Sequence, residues 1–137
     1  MPRPDRDRTA ARRRLLVRTG WLRAFLDAAP AERLSLFRDR TYSGLSGGED
    51  MWELLWDRRV AAVAADNVTV EVFPITGKPM SLHLSIARLG MKLGEMFDLE
   101  ALADDCAAGG SYAGFFTSMP LNMRGGVGSP SNAMAIV

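Results

Sequence analysis

The sequence predicts an α/β fold, a mixed sheet with helices packed on it, and three stretches carry that expectation. Leu15 to Thr19 is a short apolar run bounded by Gly20 and followed by apolar residues at helical spacing, a strand that delivers the chain into a helix. VAAVAADN at 60 to 67 is a continuous run of small apolar residues, as expected for a strand covered on both faces. After Gly90 the run Met91, Leu93, Glu95, Phe97 alternates like one face of a strand.

Composition limits the class before any element is placed. The chain has 137 residues, which suits one domain able to bury roughly two-thirds of the surface its unfolded form exposes. A hydrophobic share of 47% and a charged share of 24% are ordinary for a globular protein and exclude disordered and collagen-like classes. No apolar run approaches the roughly 20 residues of a membrane span, and the N-terminal arginines have no apolar segment behind them as a secretory signal would; no membrane partner and a cytoplasmic location are expected.

The charge is uneven. Residues 1 to 20 hold seven arginines against Asp5 and Asp7, while the remainder is mildly acidic and the whole chain is +1. Residues 1 to 14 therefore form a basic arm, expected to be disordered, ahead of a domain at 15 to 137. The arm has no aromatic residue for stacking on bases and no amphipathic period, which argues against nucleic acid as a partner and for a solvated tail.

In chain order, Trp21, Leu22, Phe25, Leu26 and Ala29 mark a helix that ends at Pro30, and AERLSLFRDR continues as a second short helix with Leu34 and Phe37 inward. A polar, glycine-bearing loop spans Thr41 to Gly48. Within it, Gly44-Leu45-Ser46-Gly47-Gly48 has the letters of a G-x-S-x-G nucleophile turn, but that motif needs a buried strand leading into it and RDRTYS is polar. Ser46 with Glu49 three residues later reads instead as a capping box opening a helix through Met51, Trp52, Leu54, Leu55 and Trp56. Beyond the 60 to 67 strand, Asp66-Asn67 reads as a turn. VTVEVFP then alternates Val68, Val70, Val72 against Thr69, Glu71, Phe73, which predicts a further strand. PITGKPM is a loop that feeds a helix from Ser81.

Leu99, Leu102 and Cys106 share a helical stripe ended by Gly109 and Gly110. Cys106 is the only cysteine, so it forms no disulfide within the chain, and Asp104 and Asp105 beside it favour core packing over a reactive thiolate. YAGFFTSMPLN predicts a strand stopped by Pro120. Gly125, Gly126 and Gly128 with Ser129-Pro130 make a tight loop before a final strand at AMAIV; the loop fits neither the P-loop nor the dinucleotide pattern.

The stretch from Ser81 to Asp98 carries the candidate chemistry. On a helical reading Leu82, His83, Ile86 and Leu89 form an apolar side, and Glu95 lies on the Met91 to Phe97 strand face, so two ionisable groups are expected to point inward. A buried carboxylate needs a partner, which a histidine, a cation or a metal ion near Glu95 would supply. The competing readings are a hydrogen-bonded core histidine and a glutamate on an edge strand facing water.

Several segments resemble one family. LLVRTGW at 15 to 21, VAAVAADNVTVE at 60 to 71, LHLSIARLGMKLGEMFDLEAL at 82 to 102 and PLNMRGGVGSPSNAMAI at 120 to 136 are similar to the C-terminal half of the cyclase family of metal-dependent hydrolases, which includes bacterial kynurenine formamidase and isatin hydrolase. The resemblance implies a partial domain of the family's β/β/α, swivelling architecture and a function in hydrolysing a carbon–nitrogen bond of a small amide, formamide or lactam. In the family the late histidine and the glutamate twelve positions after it belong to the metal centre, which places His83 and Glu95 as ligands of a divalent metal, zinc or manganese. The glycines suggest that the loop of Gly125, Gly126, Gly128 and Ser129 approaches substrate.

The departures are equally specific. The family's histidine-rich motif, which supplies most ligands and the acid/base histidine, precedes the RTGW strand and is absent here; His83 is the only histidine, and Leu84 comes after it where the family often has arginine. A catalytic zinc ordinarily takes three protein ligands. The expectation is an incomplete site, inactive in this chain alone. The alternative is a non-catalytic domain serving as a binding or self-association module; either reading favours a homo-oligomer.

Overall fold

Of the three stretches that predict the fold, each supplies one strand of a parallel sheet. The computed structural model describes residues 12–74, 81–126 and 128–137. Strands β1 (Arg13–Val17), β2 (Val60–Ala65) and β3 (Lys92–Gly94) pair in the order β1-β2-β3, with Leu15 opposite Val63 and Val63 opposite Leu93. β2 takes the centre because its small side chains allow cover on both faces, and Val63 and Ala65 have no exposed surface. β1 starts two residues before Leu15, so Arg13 and Arg14 of the expected arm belong to a strand; residues 1 to 11 lie outside the described residues.

Three helices connect β1 to β2: α1 (Trp21–Asp27), α2 (Pro30–Asp39) and α3 (Glu49–Asp57). Pro30 ends the first helix by opening the second, since at the first helical position its missing N–H has no intrahelical partner to lose. Glu32 supports that start by accepting the Ala29 N–H at 3.2 Å. α3 buries Leu55 in a core with Val63, Ala65, Val70, Leu82 and Met91, against which Val17, Leu45, Met51, Trp52, Val60 and Leu93 pack. Fully burying each such aliphatic chain contributes about 1.5–3 kcal/mol.

Asp66, at the end of β2, is 1% exposed and ties the strand to the β1–α1 turn. Its carboxylate accepts the Thr19 N–H at 2.7 Å, the Thr19 hydroxyl at 2.6 Å and the Gly20 N–H at 2.7 Å. Gly20 adopts φ 86°, a left-handed conformation that glycine takes at little cost.

Four expectations are corrected. α3 is capped at Gly48 without a side-chain bond, and the Ser46 hydroxyl accepts the Gly48 N–H at 3.1 Å from two residues ahead of the cap, so the capping box does not form. VTVEV forms no strand: Val70 takes φ 61°, and the segment makes only isolated bridges, Tyr42 with Phe73 and Leu45 with Glu71. His83 precedes its helix, since α4 spans Leu84–Leu89. Leu82 of the predicted apolar face is fully buried and Leu89 is exposed, while the Ile86 side chain lies outside the described residues. Phe37 is half exposed, as is Leu34, so α2 turns little of its apolar side inward.

The chain ends with α5 (Glu100–Gly109), which buries Cys106 as expected and stops at Gly110 with φ 67°, and an antiparallel hairpin of β4 (Phe115–Ser118) and β5 (Ala133–Ile136). Phe116 meets Phe97 at 6.3 Å between ring centroids, which joins the hairpin to the segment after β3.

Candidate functional site

The kink at Val70 gives the site its central residue. In a regular strand Glu71 would share a face with Thr69 and Phe73; with Val70 left-handed, the Glu71 side chain turns inward and is buried. Asn67, wholly buried, holds the bend: its side-chain oxygen accepts the Val70 N–H at 2.7 Å and its amide donates to the Ser43 carbonyl at 2.8 Å. The loop from Tyr42 to Leu45 lies directly against this backbone. A Cβ on Gly44 would sit 2.3 Å from the Glu71 carbonyl carbon, so only glycine permits the approach. The glycine of the false nucleophile motif is thus a packing residue.

Glu71 meets the start of the α4 segment with both oxygens. Oε1 accepts the Leu82 N–H at 2.7 Å, and Oε2 accepts the Ser81 hydroxyl at 2.8 Å and contacts His83 Nδ1 at 2.8 Å. Burial of Leu82 in the core anchors that segment. On the other side of the ring, His83 Nε2 faces Glu95 Oε1 at 3.1 Å. Glu95 comes directly after β3, and Met96 beyond it takes φ 58°, which turns the chain toward its hydrogen bond with the Asn67 carbonyl at 3.1 Å.

His83 and Glu95 are therefore brought together, but not in the core: their side chains are 44% and 40% exposed, against 4% for Glu71. They open on a cleft of about 780 Å³ whose walls are Leu93 to Asp98 and Gly128 to Ala133. Partial burial acts to lower the His83 pKa, yet hydrogen bonds to Glu71 and Glu95 and the charge of both carboxylates outweigh it, so the ring is held above its ordinary value.

Of the expected substrate loop, Gly128 and Ser129 line the cleft and Gly125 and Gly126 do not. Gly125, at φ 77°, and Gly126, whose N–H bonds to the Met123 carbonyl at 3.0 Å, form a turn away from it. The Ser129 hydroxyl is occupied in holding the loop, accepting the Leu121 N–H at 2.8 Å and donating to the Pro130 carbonyl at 3.0 Å. What this loop offers to the cleft is therefore its backbone at Gly128 and Ser129.

As a cation site, the geometry supplies two oriented donors, His83 Nε2 and Glu95 Oε1, with a buried carboxylate behind the ring. Among the described residues no group of three or more His, Cys, Asp or Glu side chains converges to hold a metal ion. The donor types suit zinc or manganese, and their number is below the three protein ligands of a catalytic zinc. Glu71 is the residue that sequence reasoning missed; alternation set it with Thr69 and Phe73 on the strand face opposite the valines, and a buried-acid signal exists only once the kink is known.

No protein-family model and no curated protein matches the chain. Among solved structures, a crystal structure described as a novel cyclase superposes with a TM-score of 0.76 at 36% sequence identity, over 90% of this chain and 40% of that chain. The α/β fold is thus a cyclase-like one, and the chain spans two-fifths of that neighbour's length.

Proposed function

We propose that this chain carries the His83–Glu95 part of a metal-dependent hydrolase site that cleaves a carbon–nitrogen bond in a small amide, formamide or lactam. The carrying observation is the line Glu71, His83, Glu95, with 2.8 Å and 3.1 Å contacts at the two ring nitrogens, opening on a cleft large enough for a small molecule. The likeness to a cyclase supports it. A divalent cation held by His83 and Glu95 would supply a Lewis acid for the carbonyl and acidify water. This chain's own residues orient the imidazole through Glu71, place a second carboxylate at the cleft mouth, and bound substrate with Leu93, Phe97 and the Gly128-Ser129 backbone. Further ligands come from outside these 137 residues, so the chain alone hydrolyses nothing well.

Zinc and manganese binding by the purified chain, followed with an N-formyl aromatic amine and a cyclic amide as substrates, tests this. The expected result is one metal ion per chain, lost in His83→Ala, with negligible turnover. Absence of metal binding by the unaltered chain overturns the ligand assignment; a robust rate abolished by His83→Ala overturns the incompleteness.

A second reading, self-association through the C-terminal hairpin, is favoured by a separate observation. Phe115, Met134 and Ile136 are 65%, 52% and 56% exposed on the two-stranded sheet, with Met119, Leu121 and Met123 exposed on the segment between its strands. Contiguous apolar surface of this kind marks an interaction face. The occupant proposed is a second copy of the chain.

A further inference from the structure

We propose that Glu71 is a positioning residue that fixes the His83 tautomer, holding the proton on Nδ1 so that the Nε2 lone pair is presented to the cleft. The inference rests on the reading of His83 as a ligand, and it concerns a residue which that reading leaves unassigned.

A neutral imidazole has one N–H, and two carboxylates compete for it here. Glu71 is 4% exposed and Glu95 40% exposed. At Glu71 the ring contact is 2.8 Å and the acid has little water to substitute for a lost donor; at Glu95 the contact is 3.1 Å and water can take over. An ionised carboxylate only accepts, and the remaining partners of Glu71, the Ser81 hydroxyl and the Leu82 N–H, both donate to it, so the geometry has a place for a third donor and none for an acceptor. Leaving a buried acceptor unsatisfied costs more than leaving a solvated one, and the neutral ring therefore places its proton on Nδ1. Imidazole ligands commonly donate their second N–H to a carboxylate in this way, which sets both tautomer and ring orientation. Glu95 then faces a lone pair, an unfavourable meeting that a cation between them relieves. Ser81 helps by bonding to the same Glu71 oxygen and by accepting the His83 N–H at 3.2 Å, which fixes the backbone that carries the ring.

His83 is the only histidine, so nitrogen NMR reads its tautomer without assignment ambiguity. In the metal-free chain at a pH where the ring is neutral, Nδ1 is expected to be the protonated nitrogen. Glu71→Gln keeps an acceptor for the Leu82 N–H but turns an amide donor toward Nδ1, so the proton is expected to move to Nε2. Ser81→Ala, which keeps the carboxylate, leaves the tautomer unchanged. Zinc affinity should fall roughly 10–100-fold in Glu71→Gln. Protonation on Nε2 in the unaltered chain, or the same tautomer in Glu71→Gln as in the unaltered chain, overturns the proposal. If zinc fails to bind the unaltered chain while the tautomer responds as described, the ligand reading fails and the tautomer assignment stands.

Discussion

His83 has a carboxylate oxygen at each ring nitrogen, an arrangement that stabilises the doubly protonated ring in the absence of a cation. Its pKa is raised, so the stabilisation is fully present below the ordinary histidine value of about 6.5 and is lost as pH rises through the higher folded-state value. The expected titration midpoint of the single imidazole, measured by proton NMR in metal-free buffer, lies above 6.5, and Glu71→Gln brings it down because one of the two carboxylates is removed. A midpoint below 6.5 in the unaltered chain would mean that burial outweighs both acids. Thermal stability should accordingly fall more between pH 6 and pH 9 in the unaltered chain than in His83→Gln. The pair His83 and Glu95 could be found in the sequence because their spacing matches a known pattern; their exposure could not, since the helix expected to bury His83 begins one residue after it.

At the scale of elements, the parallel strands and the helices are legible because each has its own signal: a short apolar run bounded by Gly20 for β1, a small-apolar run for β2, period two for β3, Pro30 and Gly110 at helix ends. The VTVEV segment misled because alternation measures side chains and ignores backbone sign, and one left-handed residue, Val70, reverses the face that Glu71 presents. Gly44 packs directly against that geometry, and Asp66 separately ties β2 to the β1–α1 turn. Gly44→Ala places a methyl 2.3 Å from the Glu71 carbonyl carbon, against backbone that cannot swing aside. The expected cost is about 1–3 kcal/mol, seen as a lower denaturant midpoint, with a shifted His83 resonance because Glu71 moves. Retention of both stability and resonance would show that the Tyr42 to Leu45 loop gives way freely. Asp66→Ala removes the acceptor of two backbone N–H groups and a hydroxyl at the β1–α1 turn and should cost about 2–4 kcal/mol at unchanged denaturant slope. An effect under about 1 kcal/mol would show that water replaces the carboxylate there.

For the whole molecule, two features point beyond a solitary chain: the metal site proposed at His83 and Glu95 has only these two donors among the described residues, and the hairpin leaves apolar side chains exposed. Among the described residues no helix is long and apolar enough to cross a membrane, and the occupant proposed for the open face is a second copy of the chain. The basic arm offers a rival source of association, through the acidic remainder of a second copy. Salt separates the two. Charge attraction between exposed groups is screened within about 8 Å at physiological ionic strength and weakens further with added salt, whereas apolar burial is strengthened by sulfate. If the hairpin carries the contact, the chain elutes larger than one copy in size-exclusion chromatography, the larger species gains at higher sulfate, and the double variant Phe115→Ser with Ile136→Ser elutes as a single copy while its His83 resonance stays in place. Dissociation by salt, with no response to the double variant, would assign association to the arm; a single copy at all concentrations would remove the self-association reading and leave the open face to a partner of another sequence.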